Sequence, residues 1–215
     1  MSGVVAAWAG YALASTVAWA QVPQVVIDME NTLVSLAPNQ AGQTFAIMAN
    51  NPGSPFNVVS INLSVQVGNG QDTSSAPMIT GVDAVTGTPF ASLLPGQRVL
   101  NTSEVTSQFF NVDLGVNLGT APTVTVTIPS GSFRLATVTF DTTSLGPGSW
   151  NLNVGGVNLN LGSDTVFYLA GTFAELTPQI SLGDNNLTVV PEWEGAGMAA
   201  GLMLVGWAAR RSFRG

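Results

Sequence analysis

The clearest signal in the chain is the run Val59-Ser60-Ile61-Asn62-Leu63-Ser64-Val65-Gln66-Val67, in which every odd position is apolar and every even one polar. A strict period of two puts alternate side chains on opposite faces of an extended strand, one toward a core and one toward water. The same rule holds over shorter stretches at Val25, Ile27 and Met29, at Phe45 and Ile47, at Val124, Val126 and Ile128, and at Val138 and Phe140. Between them stand clusters that end regular structure: Asn50-Asn51-Pro52-Gly53, Gly68-Asn69-Gly70, Leu94-Pro95-Gly96, Pro129-Ser130-Gly131 and Gly146-Pro147-Gly148. No segment between residues 21 and 188 sustains a 3.6-residue period. Many short strands with closely spaced turns predict an all-β fold of two antiparallel sheets packed face to face.

One pairing follows from the residues alone. A two-residue turn at Gly155-Gly156 sets Val154 against Val157, Leu152 against Leu159 and Trp150 against Leu161, while Asn153 meets Asn158 and Asn151 meets Asn160. This register predicts a hairpin with Trp150 on the apolar face and the four asparagines on the other; the same residues also suit pairing with other strands.

The two ends depart from the β pattern. Val4 to Ala20 is apolar and uncharged and ends in Ala18-Trp19-Ala20, the small-x-small pattern of a signal-peptide cleavage site after Ala20, although Met1-Ser2-Gly3 carries no Lys or Arg. At the other end a short motif (191–194) precedes an uncharged apolar run (195–209) and a basic terminus (210–215). As a helix, the 15 residues from Gly195 to Ala209 span roughly 22 Å, short of the ~30 Å core of a bilayer, so crossing requires thinning or snorkelling arginines. Arg210, Arg211 and Arg214 are three of the five basic residues of the protein, which keeps this end cytoplasmic by the positive-inside rule.

This layout resembles the PEP-CTERM sorting tail of Gram-negative envelope proteins. The resemblance implies recognition and cleavage by a membrane transpeptidase-like enzyme, the exosortase. By position, Pro191 and Glu192 form the sorting motif with Trp193 where the family usually has a second proline, and Arg210, Arg211 and Arg214 form the membrane-retention end. The expected organisation is a signal peptide over 1–20, a β domain over 21–188 and a sorting tail over 189–215.

Composition narrows the class. Charged residues make up 8% of the chain, far below the usual figure of about a quarter. The net charge is −7, and without the three terminal arginines the remainder is more negative still, which repels nucleic acid. Histidine and cysteine are both absent, removing disulfides, the usual zinc sites, thiol nucleophiles and imidazole bases together. No cofactor is expected.

The segment Gly131-Ser132-Phe133-Arg134-Leu135-Ala136-Thr137-Val138-Thr139-Phe140-Asp141, followed by Gly148-Ser149-Trp150-Asn151-Leu152, resembles the "G-x-L-A-x-I-x-F" strand and its successor in cohesin-like domains. Ala41-Gly42-Gln43-Thr44-Phe45, leading into Phe56 to Val67, is similar to the opening strands of that family. Together these cover most of residues 24 to 190. The resemblance implies a jelly-roll β-sandwich, related to some carbohydrate-binding modules. The family binds dockerins in cellulosomes and also occurs in exported proteins with PEP-CTERM tails.

Candidate chemistry is sparse. Asp28 and Glu30 share a face of one strand and read as a like-charged pair in water. A glycosidase needs two carboxylates across a cleft, and no residue is assigned a catalytic role. Asp72 and Asp184 stand in Gly- and Asn-rich turns that suit calcium but lack the density of a dedicated loop. Asn151, Asn153, Asn158 and Asn160 offer glycan contacts, with Trp150 or Tyr168 as a stacking ring; a carbohydrate-binding module would show an exposed aromatic row drawn from Phe109, Phe110, Phe167 and Tyr168. Asn62-Leu63-Ser64, Asn101-Thr102-Ser103 and Asn186-Leu187-Thr188 match the glycosylation sequon.

The sequence therefore reads as a non-catalytic exported protein of the cell envelope or extracellular matrix, structural or adhesive, acting through neutral polar sheet faces and long loops such as Gly68 to Gly96. The expected partners are an exosortase-like membrane protease, exopolysaccharide or other envelope proteins, and the membrane through the C-terminal helix. A carbohydrate-binding module for exopolysaccharide is the alternative, and a glycoside-active enzyme the third reading.

Overall fold

The computed structural model describes residues 23–71, 74–117, 124–155 and 165–190. Within them the chain runs through β1 (Val26–Asp28), β2 (Val34–Leu36), β3 (Ala41–Asn51), β4 (Phe56–Val67), β5 (Met78–Asp83), β6 (Arg98–Thr106), β7 (Phe109–Val116) and β8 (Val126–Ile128). It continues through β9 (Gly131–Asp141), β10 (Gly148–Trp150), β11 (Leu152–Val154), β12 (Val166–Leu169), β13 (Glu175–Leu176), β14 (Gln179–Ser181) and β15 (Leu187–Val189). Single 3-10 turns cover Pro89–Ser92 and Pro95–Gln97. Each of the five Gly/Pro/Asn clusters falls at a junction between these elements.

The strands form a five-stranded sheet (β14-β1-β3-β9-β5), a three-stranded sheet (β10-β15-β2) and a seven-stranded sheet built along β13-β12-β4-β7-β6, with β8 and β11 also on β4. β4 is the spine of the largest sheet. Val58 pairs with both Val126 and Leu169, so β8 and β7 follow one another along one side of β4 and β12 and β11 along the other. The odd residues Val59 to Val67 are buried, as the alternation predicts, and join Ile47, Val112, Leu135, Val138 and Phe140 in one continuous core. The three-stranded sheet adds Val34, Leu36, Leu187 and Val189 to that core.

Four expectations change. The sheets are not purely antiparallel, because β1 runs parallel to β14 and β2 parallel to β15. Gly68 to Gly96 is not one loop: Met78–Asp83 forms β5 against β9, with Ile79 opposite Phe140, and Phe90 and Leu93 are buried. Trp150 and Leu152 do not share one strand, since β10 pairs with β15, Trp150 opposite Leu187, whereas β11 pairs with β4, Leu152 opposite Val67. The chain changes sheets at Asn151, and the parity argument stops there. The far side of the expected hairpin, including Asn158 and Asn160, lies outside the described residues. Finally, β4 is not wet on its even face throughout, because Ser64 and Gln66 are fully buried.

The covering of that face is specific. Ser64 receives Gly155 N–H on its carbonyl at 2.9 Å and donates its own N–H to Thr165 Oγ1 at 3.2 Å, bridging the gap between β12 and β11. Gln66 donates Nε2–H to the Gly68 carbonyl at 2.9 Å. The Gly68–Gly70 turn folds so tightly over that side chain that a Cβ on Gly70, whose φ is +72°, would sit 3.0 Å from Gln66 Cδ.

Candidate functional site

The outer face of the seven-stranded sheet is a ladder of polar rows set by strand register. Tyr168, Ser60, Gly115 and Val99 form one row, Asn62, Asp113 and Asn101 the next, and Ser64, Asn111 and Ser103 the third. Rows are stitched by side chains: Asn62 Nδ2–H donates to Asp113 Oδ1, and Asn111 Nδ2–H donates to Asn62 Oδ1 and Ser64 Oγ, each at 3.3 Å. Asp113, Asn101, Ser103 and Val99 remain exposed. A Cβ on Gly115 would lie 3.0 Å from Ser60 Cβ, so glycine keeps the first row flat. β6 closes the face with an edge strand exposed along nearly its whole length, including Val99, Leu100 and Val105. Such an edge leaves backbone donors and acceptors unpaired on its outer side. The arrangement presents neutral hydrogen-bonding groups at fixed strand spacing with one carboxylate among them, a surface suited to binding rather than to bond cleavage.

A second feature lies where β4 ends. A shallow concavity of about 560 Å³ is lined by Gln66, Gly68, Asn69, Ser149, Trp150, Asn151, Asn153 and Asn185. Asn151 ties it together: its carbonyl accepts Gly68 N–H at 2.7 Å, its Oδ1 accepts Asn185 N–H at 2.7 Å, and its Nδ2–H donates to Asp184 Oδ1 at 3.3 Å. Trp150 is half-buried against the core margin and its ring lies over Gly148, where a Cβ would collide with it. Thus Trp150 shares a concavity with Asn151 and Asn153 instead of facing away from them. Gln66 and Asn153, directly opposite each other across β4 and β11, are 1% and 2% exposed, and Gln66 Oε1 and Asn153 Oδ1 have no hydrogen-bond partner. Sequence reasoning missed Gln66, because a polar residue on the even side of β4 reads as solvated.

The remaining candidates have local duties. Asp28 Oδ1 accepts the Ser181 hydroxyl at 2.7 Å and the Asn31 N–H at 3.3 Å, and Oδ2 accepts Asn31 Nδ2–H at 3.0 Å. These bonds, the Asn31 side chain's first among them, hold its carboxyl below the usual aspartate range. Asp83 Oδ1 caps Val85 and Thr86 N–H, and Asp141 Oδ1 caps Thr143 N–H. Asp184 is engaged by Asn151, and among the described residues no cluster of three or more acidic residues is placed to hold a metal. Phe109, Phe110 and Phe167 are buried and Tyr168 is partly buried, so the aromatic row expected of a carbohydrate-binding module is not formed by these rings. Asp72, the signal site at Ala18 and Ala20, the motif Pro191, Glu192 and Trp193, and Arg210, Arg211 and Arg214 lie outside the described residues. Among the described residues no helix is long and apolar enough to cross a membrane.

Two solved structures share this architecture. CaCohA2 from Clostridium acetobutylicum, solved in complex with CaDoc0917, superposes with a TM-score of 0.50 at 15% identity over 78% of this chain and 100% of that one. The seventh ScaB type I cohesin from Pseudobacteroides cellulosolvens gives 0.51 at 11% identity over 78% and 94%. The fold is cohesin-like. At such low identity the likeness concerns the cohesin-like sandwich alone. No protein-family model matches the sequence, and no curated protein matches it either.

Proposed function

We propose that this protein is an exported, non-catalytic interaction module of the cell envelope or extracellular matrix, with a structural or adhesive role. The observation that carries the reading is the open ladder of Asn62, Asp113, Asn101, Asn111 and Ser103 beside the exposed β6 edge. It offers donors and acceptors to a protein partner without a pocket or an activated side chain. The cohesin-like fold supports it, since CaCohA2 was solved in a protein–protein complex. Export rests on the Ala18-Trp19-Ala20 signal site and the 189–215 tail, with an exosortase-like enzyme acting near Pro191. The end of the sheet agrees with that position: β15 stops at Val189, and Val190 N–H donates to Leu36 O at 3.0 Å. A cut at the motif spares this bond and everything before it.

Two measurements test the reading. Intact mass of native protein from membrane and secreted fractions should show loss of residues 1–20 and of everything beyond about Pro191; a full-length secreted form removes the sorting proposal. For the docking face, a photo-crosslinking residue at Asn101 should capture discrete envelope proteins in the source cells, and one at Met48, exposed on the five-stranded sheet, should not. Equal capture from both positions, or none from Asn101, sinks the assignment.

A further inference from the structure

The concavity at the end of β4 is separate in chemistry from the docking ladder and does not depend on it. Two of its lining residues, Gln66 and Asn153, are almost completely buried, and their side-chain oxygens Gln66 Oε1 and Asn153 Oδ1 have no hydrogen-bond partner. An unsatisfied buried acceptor is costly and calls for a donor. Its wall is the half-buried ring of Trp150, the one aromatic residue among the described lining residues, and its rim carries Asn69, Asn151 and Asn185. Among the described residues no cationic side chain lines it to hold an anion. Asp184, next to the rim residue Asn185, is bonded to Asn151.

We propose that this concavity is a subsite for a neutral saccharide. A sugar matches the lining: hydroxyl protons for the Gln66 and Asn153 carbonyls once their side-chain amides turn toward the opening, ring and exocyclic oxygens for asparagine amides, and an apolar C–H face for the indole. The switch of sheets at Asn151 builds the site, because it brings the tryptophan of β10 and the asparagine of β11 to one side although their positions differ by an odd number.

Isothermal titration of the full-length protein in a non-glycosidic detergent tests this, with cellohexaose, maltohexaose and mannohexaose as neutral probes and an oligoalginate as the acidic one. At least one neutral hexaose should bind with Kd on the order of 1 mM or tighter. Trp150→Ala should weaken it about tenfold. Asn153→Leu, which removes one orphaned acceptor, should weaken it by a similar factor while leaving thermal unfolding at or above the wild-type temperature, since an unpaired buried oxygen is lost. Because Trp150 also packs against the core, Trp150→Phe keeps a ring there, and in ¹⁵N spectra its missing indole signal identifies the Trp150 cross-peak, which should move on saturation with the neutral probe. No neutral binding by folded wild type, binding only of the acidic probe, an unmoved Trp150 signal, or affinity unchanged in both Trp150→Phe and Asn153→Leu overturns the proposal.

Discussion

Asn186 is the most exacting test of how this sandwich is held shut. It sits 1% exposed at the start of the last strand. Its Oδ1 accepts Leu152 N–H at 2.7 Å, and its Nδ2 donates to Leu152 O at 3.1 Å and to Met29 O at 3.0 Å. Its own carbonyl accepts Val34 N–H at 2.7 Å. One amide therefore links segments 157 residues apart in sequence. Asn186→Ala leaves the Leu152 N–H and carbonyl without partners in a buried place, each worth about 1–3 kcal/mol when unpaired, while the Met29 carbonyl keeps the Thr32 N–H at 3.3 Å. With some relief from entering water, the expected loss is about 2–4 kcal/mol, a large part of the 5–15 kcal/mol or so that holds a typical domain together. At a urea slope of about 2 kcal/mol/M the midpoint should fall by about 1–2 M, read by tryptophan fluorescence. Asn186→Asp at neutral pH should be worse than alanine, since it aims a carboxylate at two carbonyl oxygens, and it should recover partly in acid. A midpoint shift under about 0.5 M with an unchanged slope for Asn186→Ala refutes the reasoning. The burial of this amide also removes Asn186-Leu187-Thr188 as a glycan acceptor in the folded protein.

Gly183→Ala should destabilise by a comparable amount in the same urea assay, because its new Cβ would collide with Asn186 Nδ2 and the Met29 carbonyl; wild-type behaviour would mean the turn shifts freely. The Asp28 carboxyl, held low by its hydrogen bonds, should titrate by NMR below the ordinary aspartate range and move upward in Ser181→Ala. The depressed value means that the carboxylate's contribution is complete above the unfolded-state pKa and is lost as the pH falls through the folded one, in acid below about pH 4; a midpoint unchanged by Ser181→Ala would remove the hydroxyl as a cause. On the β6 edge, Leu100→Lys should alter stability by less than about 0.5 kcal/mol while lowering light scattering in concentrated solution, and increased scattering would contradict an exposed edge.

Much of this fold was legible in the sequence. The odd residues of β4 from Val59 to Val67 are buried, Val25, Ile27 and Met29 all face the core, and the cohesin-like segment Gly131 to Asp141 is β9 end to end. These positions depend on local alternation and on turns that punctuate it. What escaped was set by distant segments. Ser64 is closed over by Thr165 and Asn111, which no window around β4 contains, and Gln66 by the adjacent Gly68–Gly70 turn folding back on it, a direction that alternation does not encode. The parallel pairings join strands of only three residues, too short to carry a direction in their composition. β6 carries no clean alternation because nearly all of it is exposed, so it gave no periodic signal. The Trp150 concavity was hidden by a sheet change that breaks the odd–even rule at a single asparagine. The tail and the signal segment were read from charge and hydropathy alone, and their evidence remains of that kind.

The parallel pairing of the first strands with the last also sets an order of events in time. Beyond its antiparallel pair Val26–Asn50 with β3, β1 is matched along Val26 to Asp28 by Gln179 to Ser181, and β2 along Val34 to Leu36 by Leu187 to Val189. A chain that emerges N-terminus first, from a ribosome or through a translocation pore, must wait for nearly its whole length before those two edges can be closed. Loop-closure entropy makes such late, long-range pairing slow. The sandwich therefore closes fully only when the residues just before Pro191 arrive.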